Sequence, residues 1–322
     1  MSGYFIFSLD TELSTGYFDH DEARHRLFST DGKPERSRIA KILQLCEQYQ
    51  IHATWAVVGH LFFSRCEYCD PCPLAGWRGK YQSFDEAYGT ENPLWYGADV
   101  VNRIQRCSIP QEIGFHGFSH RVLTDTEISE KDAQVEISEW KRLAERYGIQ
   151  GRSVVFPRDK IGHLSQLQTA GFDNYRYETP LPSWQRNRYF GKYLKTLDYI
   201  ASISHTPIHP PTMHLDEGML RIPDSQHLFA FNLQVDSLLD SLGMPTLRIQ
   251  RILRGIRRAA KQGKIFHVWA HPWEFRTQGD WIKLEAIFKA VRMMEQVYGL
   301  QSITMGAMAD VIKQNAEEHP GG

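Results

Sequence analysis

Residues 112–124 read EIGFHGFSHRVLT and place His116 and His120 four positions apart, directly after a short apolar run. Two imidazoles at that spacing can face the same way from one helical turn and share a metal ion, or they can be unrelated polar residues. The choice turns on what else converges on them. Asp10 and Glu12 close the run YFIFSLDTE, Arg158 follows VVFP, and His271 with Glu274 follows KIFHVWA. A carboxylate and two imidazoles make a mixed oxygen and nitrogen site suited to zinc, with positions open for water and substrate. A second carboxylate beside such a metal can deprotonate water, and a separate histidine can protonate a leaving group. These are the parts of a metal-assisted hydrolysis of an amide or ester. Singly, each has a plainer use, as a hydrogen-bonded core histidine or a helix cap.

For these residues to meet, the elements that carry them must end on one face. Residues 4–10 read as a strand, 37–49 carry apolar positions at helical spacing, and 51–59 (IHATWAVVG) read as a second strand. The pattern repeats with a helix at 97–106, a strand at 108–116, a long charged helix at 124–147 and a strand at 152–158. Further strands are predicted at 174–178, 219–225, 264–272 and 300–305, with helices at 164–170, 247–262 and 281–297. This repeated β-then-α order, with no Pro/Gly-rich linker, predicts one α/β domain over residues 1–322. Its sheet is parallel, open or closed into a barrel, and in such sheets the strand C-termini share the ligand-binding face. The candidate residues all sit at those C-termini. Residues 63–96, rich in Cys, Pro, Gly and aromatics, read as an inserted loop of the kind that carries substrate contacts.

Composition narrows the partners. The 322 residues are 42% hydrophobic and 12% aromatic, ample for a full core. Lys and Arg number 37 against 38 Asp and Glu, so no bulk field favours nucleic acid, and none is expected as a partner. MSGYFIFSLDTEL lacks the basic residues and long apolar run of a secretory signal, and a cytoplasmic location is the expectation. Five cysteines are too few for a disulfide scaffold; Cys66, Cys69 and Cys72 have metal-like spacing without a fourth ligand, leaving free thiols, a structural zinc or a redox pair open. Residues 247–264 set Ile249, Ile252, Leu253 and Ile256 against Arg248, Arg251, Arg254, Arg258 and Lys261. That is an outer helix with a solvated basic face, or a peripheral contact with an anionic membrane or carrier phosphate. His205, His209 and His214 are irregularly spaced in a Pro-rich loop and read as substrate contacts or surface.

Several motifs together resemble the polysaccharide deacetylase family (NodB-homology, carbohydrate esterase family 4). FSLDTE resembles its first motif, usually Thr-Phe-Asp-Asp-Gly, and ATWAVVG its second-strand motif. HGFSH resembles its His-x-x-x-His metal motif, FPRDKIG the motif around an Arg and a Pro, VWAHP the last motif, and SITMGAMADVI the closing strand and helix. The matches run in order over roughly residues 4 to 312.

The resemblance implies a distorted, incomplete (β/α) barrel and a divalent metal, zinc by preference. It implies His116 and His120 as metal ligands, Asp10 as the base that activates water, and His271 as the acid that protonates the departing amine. Arg158 would orient Asp10 and keep it ionised. Thr11 stands where the family has its second aspartate, and Glu12 is the substitute ligand, since Asp10 and Glu12 share a strand face that Thr11 does not. His267 is assigned a structural role. Trp95, Tyr96 and Trp273, with Trp77 and Tyr81, are candidates for stacking on a sugar ring. The implied substrate is an N-acetylated sugar, such as a nucleotide- or lipid-linked glycan precursor. A hydrolase of another C–N bond, such as a cyclic amide or formamide, and an inactive deacetylase-like binding protein are the alternatives; Thr11 points to the second.

Overall fold

The computed structural model describes residues 2–17, 23, 26–65, 93–180, 206–229, 238, 241–243 and 249–318. Cys66, Cys69, Cys72, Trp77, Tyr81, His205 and Arg248 lie outside the described residues.

β1 (Tyr4–Thr11) is buried from Phe5 onward, the near-continuous apolar run expected of a parallel strand covered on both faces. It pairs in parallel with β2 (Ala53–Val57) on one side and β9 (Ile265–Ala270) on the other. Beyond β2 follow β3 (Glu112–Phe115), β4 (Ser153–Val154), β5 (Asn174–Tyr177) and β7 (Met219–Pro223), which forms an antiparallel hairpin with β6 (Leu215–Asp216). β8 (Gln226–His227) flanks β9, and β10 (Gln301–Ser302) pairs with the start of β1. The stretch from β7 into β8 bonds β5 with its first half and β9 with its second, so the sheet curls into an incomplete barrel. Outside or below it lie α1 (Lys33–Tyr49), α2 (Ala98–Gln105), α3 (Glu130–Arg146), α4 (Leu164–Thr169), α5 (Gln250–Gln262), α6 (Gln278–Tyr298) and α7 (Met305–Glu318).

Strand alternation divides the core in two. Phe5, Phe7 and Leu9 face outward and pack with Ile42, Trp140, Ile256 and Phe288 of the surrounding helices. Ile6 faces inward, with Val155, Leu220, Ile222 and Ile265, against Met305, Met308 and Ile312 of α7. This apolar plug fills the lower end of the barrel. Glu112 ties α7 to it, accepting from the Thr54 hydroxyl and the Gly306 amide at the helix start, a favourable place for a carboxylate. Above the plug, the inward positions turn polar.

The predicted strands and helices are present with shifted ends. The helix expected over 124–147 starts at Glu130 because Ser129 caps it, accepting from the Asp132 amide. β6 and β8, two residues each, are too short to show a period. On α5 the basic face is partly used in packing: Arg251 is buried, Arg258 donates to the Thr206 carbonyl, and Lys261 lies over the Tyr298 ring. Among the described residues, no helix is long and apolar enough to cross a membrane.

α5 lies close to β9 because Gly255 faces Phe266 without a side chain; a Cβ there would fall against the Phe266 ring, inside any normal contact distance. In an ordinary helix interior Gly→Ala gains about 1 kcal/mol, whereas overpacking costs about 1–3 kcal/mol. Gly255→Ala is therefore expected to destabilise the protein by up to about 2 kcal/mol in urea unfolding; a gain in stability would contradict this packing.

Candidate active site

His116 and His120 lie on the loop that leaves β3, and the helical turn that their spacing allows is not formed. The loop turns through left-handed backbone at Gly117 (φ 75°) and again at His120 (φ 63°). Buried Glu136 of α3 fixes it, accepting from the Phe118 and Ser119 amides at 2.8 and 2.9 Å and from the Ser119 hydroxyl. The imidazoles end 4.9 Å apart between ring centres.

Glu12, one residue past β1, meets both. Its Oε2 lies 2.8 Å from His120 Nε2 and 3.5 Å from His116 Nε2, and donor atoms of the three buried residues fall within 4.8 Å of one another. His116 Nδ1 donates to the Val155 carbonyl at 2.8 Å, which leaves Nε2 with the lone pair a metal needs. Burial pushes the His120 imidazole down in pKa despite Glu12 beside it. The Glu12 carboxyl is pushed up by burial but held well below its ordinary value by His120 and His116. One ionised carboxylate and imidazole nitrogens converging in a buried pocket fit a divalent cation. Thr11 turns its hydroxyl to the Leu9 carbonyl and takes no part. A Cβ on Gly16 would overlap the Glu12 carboxylate, so glycine is what lets the chain pass behind this ligand.

Asp10 lies beside this group, and the cation that orients it is Arg176. Its guanidinium, from β5, grips both Asp10 oxygens at 2.6 and 2.8 Å and also reaches Asp159 at 2.9 Å. The orienting role expected of Arg158 is thus corrected: Arg158, in left-handed backbone (φ 57°) after β4, lines the cavity instead. β5 turns Arg176 inward, whereas the chain after β4 must bend to continue. Burial raises the Asp10 carboxyl, and Arg176, with His116 and His271, more than reverses this. Beneath the pair, His267 meets the Ser8 hydroxyl at 2.8 Å, and burial with Arg176 nearby drives its pKa down to about 3. A neutral structural histidine results.

His271 directly follows β9. Its Nε2 stands 3.9 Å from Asp10 Oδ2 and 3.8 Å from Glu12 Oε1, while Nδ1 faces Glu274 Oε2 at 3.1 Å. Glu274 also meets His227 Nε2 at 3.0 Å. Burial lowers the His271 pKa, but Glu274 foremost, then Glu12 and Asp10, raise it to about 10.

Asp10, Glu12, His116, His120, Arg158 and His271 line one cavity of about 410 Å³, together with Gly16, Tyr17, Asp159 and Trp269. The aromatic expectations are corrected. Trp95 and Tyr96, 5% and 4% exposed, pack into the hydrophobic core around His60, and Trp273 packs with Leu27, Phe28 and Leu94 behind His271. Their apolar surface is worth more buried than at a cavity mouth. The wall uses Tyr17 and Trp269, and Trp269 is itself sandwiched between Arg176 and His227. Arg176 was within reach of the sequence, as a charge on the inward face of the predicted strand NYRY; Tyr17, in a short loop turn, carried no such signal.

The structure aligns with that of a Mycobacterium smegmatis protein designated a polysaccharide deacetylase, at a TM-score of 0.58 and 13% identity over 97% of this chain and 90% of that one. It aligns with 4-alpha-glucanotransferase from Thermococcus litoralis at 0.51 and 14% identity, over 96% of this chain and 40% of that one. With the GH57-type branching enzyme of Pyrococcus horikoshii the values are 0.51 and 10%, over 100% and 71%. At these identities the likeness is one of fold, the incomplete barrel with surrounding helices. No protein-family model matches the chain, and no curated protein does.

In the metal-free protein, NMR titration of His271 is expected to show the imidazolium persisting to about pH 10. Because the folded pKa lies above the ordinary 6.5, the stability it contributes is complete below about 6.5 and lost as pH rises through about 10. Glu274→Gln removes the main cause and moves the titration toward neutrality. Titration near 6.5 in the unaltered protein would contradict the assigned Glu274 contact.

Proposed function

We propose that the chain is a divergent polysaccharide deacetylase, a metal-dependent hydrolase that removes the N-acetyl group of an amino sugar. The observation that carries this reading is the convergence of a three-residue ligand set with a carboxylate and an imidazole, 3.9 Å apart, in the same cavity. Alignment over 97% of this chain with a protein designated a polysaccharide deacetylase supports it.

Glu12, His116 and His120 would hold the cation, which when bound polarises an amide carbonyl and makes water more acidic. Asp10 Oδ2 takes a proton from the attacking water, and Arg176 keeps that carboxylate ionised and aimed. His271 Nε2 faces the same space and donates to the amide nitrogen as the C–N bond breaks, giving acetate and a free amine. Glu274 at Nδ1 holds the imidazolium in its donating form. The unlike environments of Asp10 and His271 thus separate base from acid at neutral pH.

The substrate we infer is an N-acetylated sugar in a cytoplasmic glycan precursor. A panel of N-acetylglucosamine, its short oligomers and a nucleotide-linked N-acetyl sugar, assayed for acetate release, tests the reading. Acetate release is expected from at least one, abolished by a chelator and restored by zinc. Asp10→Asn and His271→Gln should each lower the rate about a hundredfold or more. Release of formate or opening of a cyclic amide, with every N-acetyl sugar inert, would favour a different C–N bond.

A further inference from the structure

Tyr17 lines the same cavity as the acid and base, on the short turn after β1. Its ring meets Trp273 edge-on, 5.4 Å between centres, and Phe28 at a tilt, at 5.8 Å. Besides burial, the Glu12 and Glu274 carboxylates and the Arg276 and Arg158 guanidinium groups act on the phenol. Gly16 packs directly on the Glu12 carboxylate and fixes the approach of Tyr17 to the metal-binding group.

The other lining side chains have different chemistry. Asp10, Glu12 and Asp159 offer carboxylates, His116 and His120 face Glu12, and Trp269 gives its indole N–H to Asp224 at 2.8 Å. Arg158 is a permanent cation, and His271 is placed to give up its proton. Among the described residues, Tyr17 is the neutral hydroxyl donor of the cavity, and its O–H has no hydrogen-bond partner among them.

We propose that Tyr17 is a further catalytic residue, whose hydroxyl donates a hydrogen bond to the acyl oxygen of the substrate as negative charge builds there. The inference rests on the deacetylase reading. When water adds, its oxygen bonds the acyl carbon, its proton passes to Asp10, and the carbonyl π electrons move onto the acyl oxygen. Tyr17 keeps its proton and shares it. When the C–N bond breaks, that electron pair reforms the carbonyl and His271 supplies the proton to nitrogen. Burial first, then the Glu12 and Glu274 carboxylates, raise the phenol to about 12, so it stays a donor across the working range.

Tyr17→Phe deletes the oxygen and keeps the ring on Trp273 and Phe28. In the full chain with its metal, kcat for acetate release is expected to fall about a hundredfold with KM within about twofold, the signature of a contact made in the transition state. Affinity for methylphosphonate, a tetrahedral anion, should fall about tenfold or more by calorimetry, with metal content unchanged. An unchanged kcat, or a raised KM alone, overturns the role. If the unaltered protein releases no acetate from any amide of the panel, the deacetylase reading fails. Methylphosphonate then decides Tyr17 by itself, and equal binding, or none by either protein, overturns it.

Discussion

A guanidinium sealed inside a barrel has to be neutralised where it stands, and the Arg176–Asp10 pair meets that constraint with both carboxylate oxygens engaged. Breaking such a buried pair by removing one partner costs about 3–5 kcal/mol, because the remaining charge is stranded. Much of the surrounding structure serves this pair. Trp269 roofs the guanidinium, Asp159 takes its remaining reach, and His267 stays neutral beneath it. The result is an ionised carboxylate fixed in direction at the top of β1.

Around that fixed charge the barrel is polarised along its length. The lower end is closed by α7 and an apolar plug, with half-buried Glu112 accepting from hydroxyl and amide donors. At the upper end carboxylates accumulate: Asp10, Glu12, Asp159 and Glu274 stand close together and would repel were they not interleaved with Arg176, His116, His120, His227 and His271. Adding a dication to such a set relieves repulsion, which is one physical reason to read it as a metal site.

The fold was legible because its signals are periodic. β1, β9 and the outer helices show their burial in runs and stripes, and the candidate ligands stand where each run stops. Asp10, Glu12, His116, His120 and His271 could be named from types and positions alone, and all line the cavity. Arg158 was assigned the grip on Asp10 that Arg176 holds, since sequence order says nothing about which strand leans across the barrel. Trp95, Tyr96 and Trp273 looked like sugar platforms because residue type does not tell core from cavity wall. Tyr17 and β8 depend on contacts between distant segments, which no local pattern records.

The central claim is that Glu12 stands in for the aspartate whose position Thr11 occupies, and metal content by mass spectrometry tests it most directly. The unaltered protein, Glu12→Ala and Thr11→Ala would be purified alike without added metal. The account predicts about one equivalent of zinc or a similar ion in the unaltered protein and in Thr11→Ala, with loss in Glu12→Ala. An unaltered protein that stays metal-free after incubation with zinc, or a Glu12→Ala variant that keeps its metal, would contradict it.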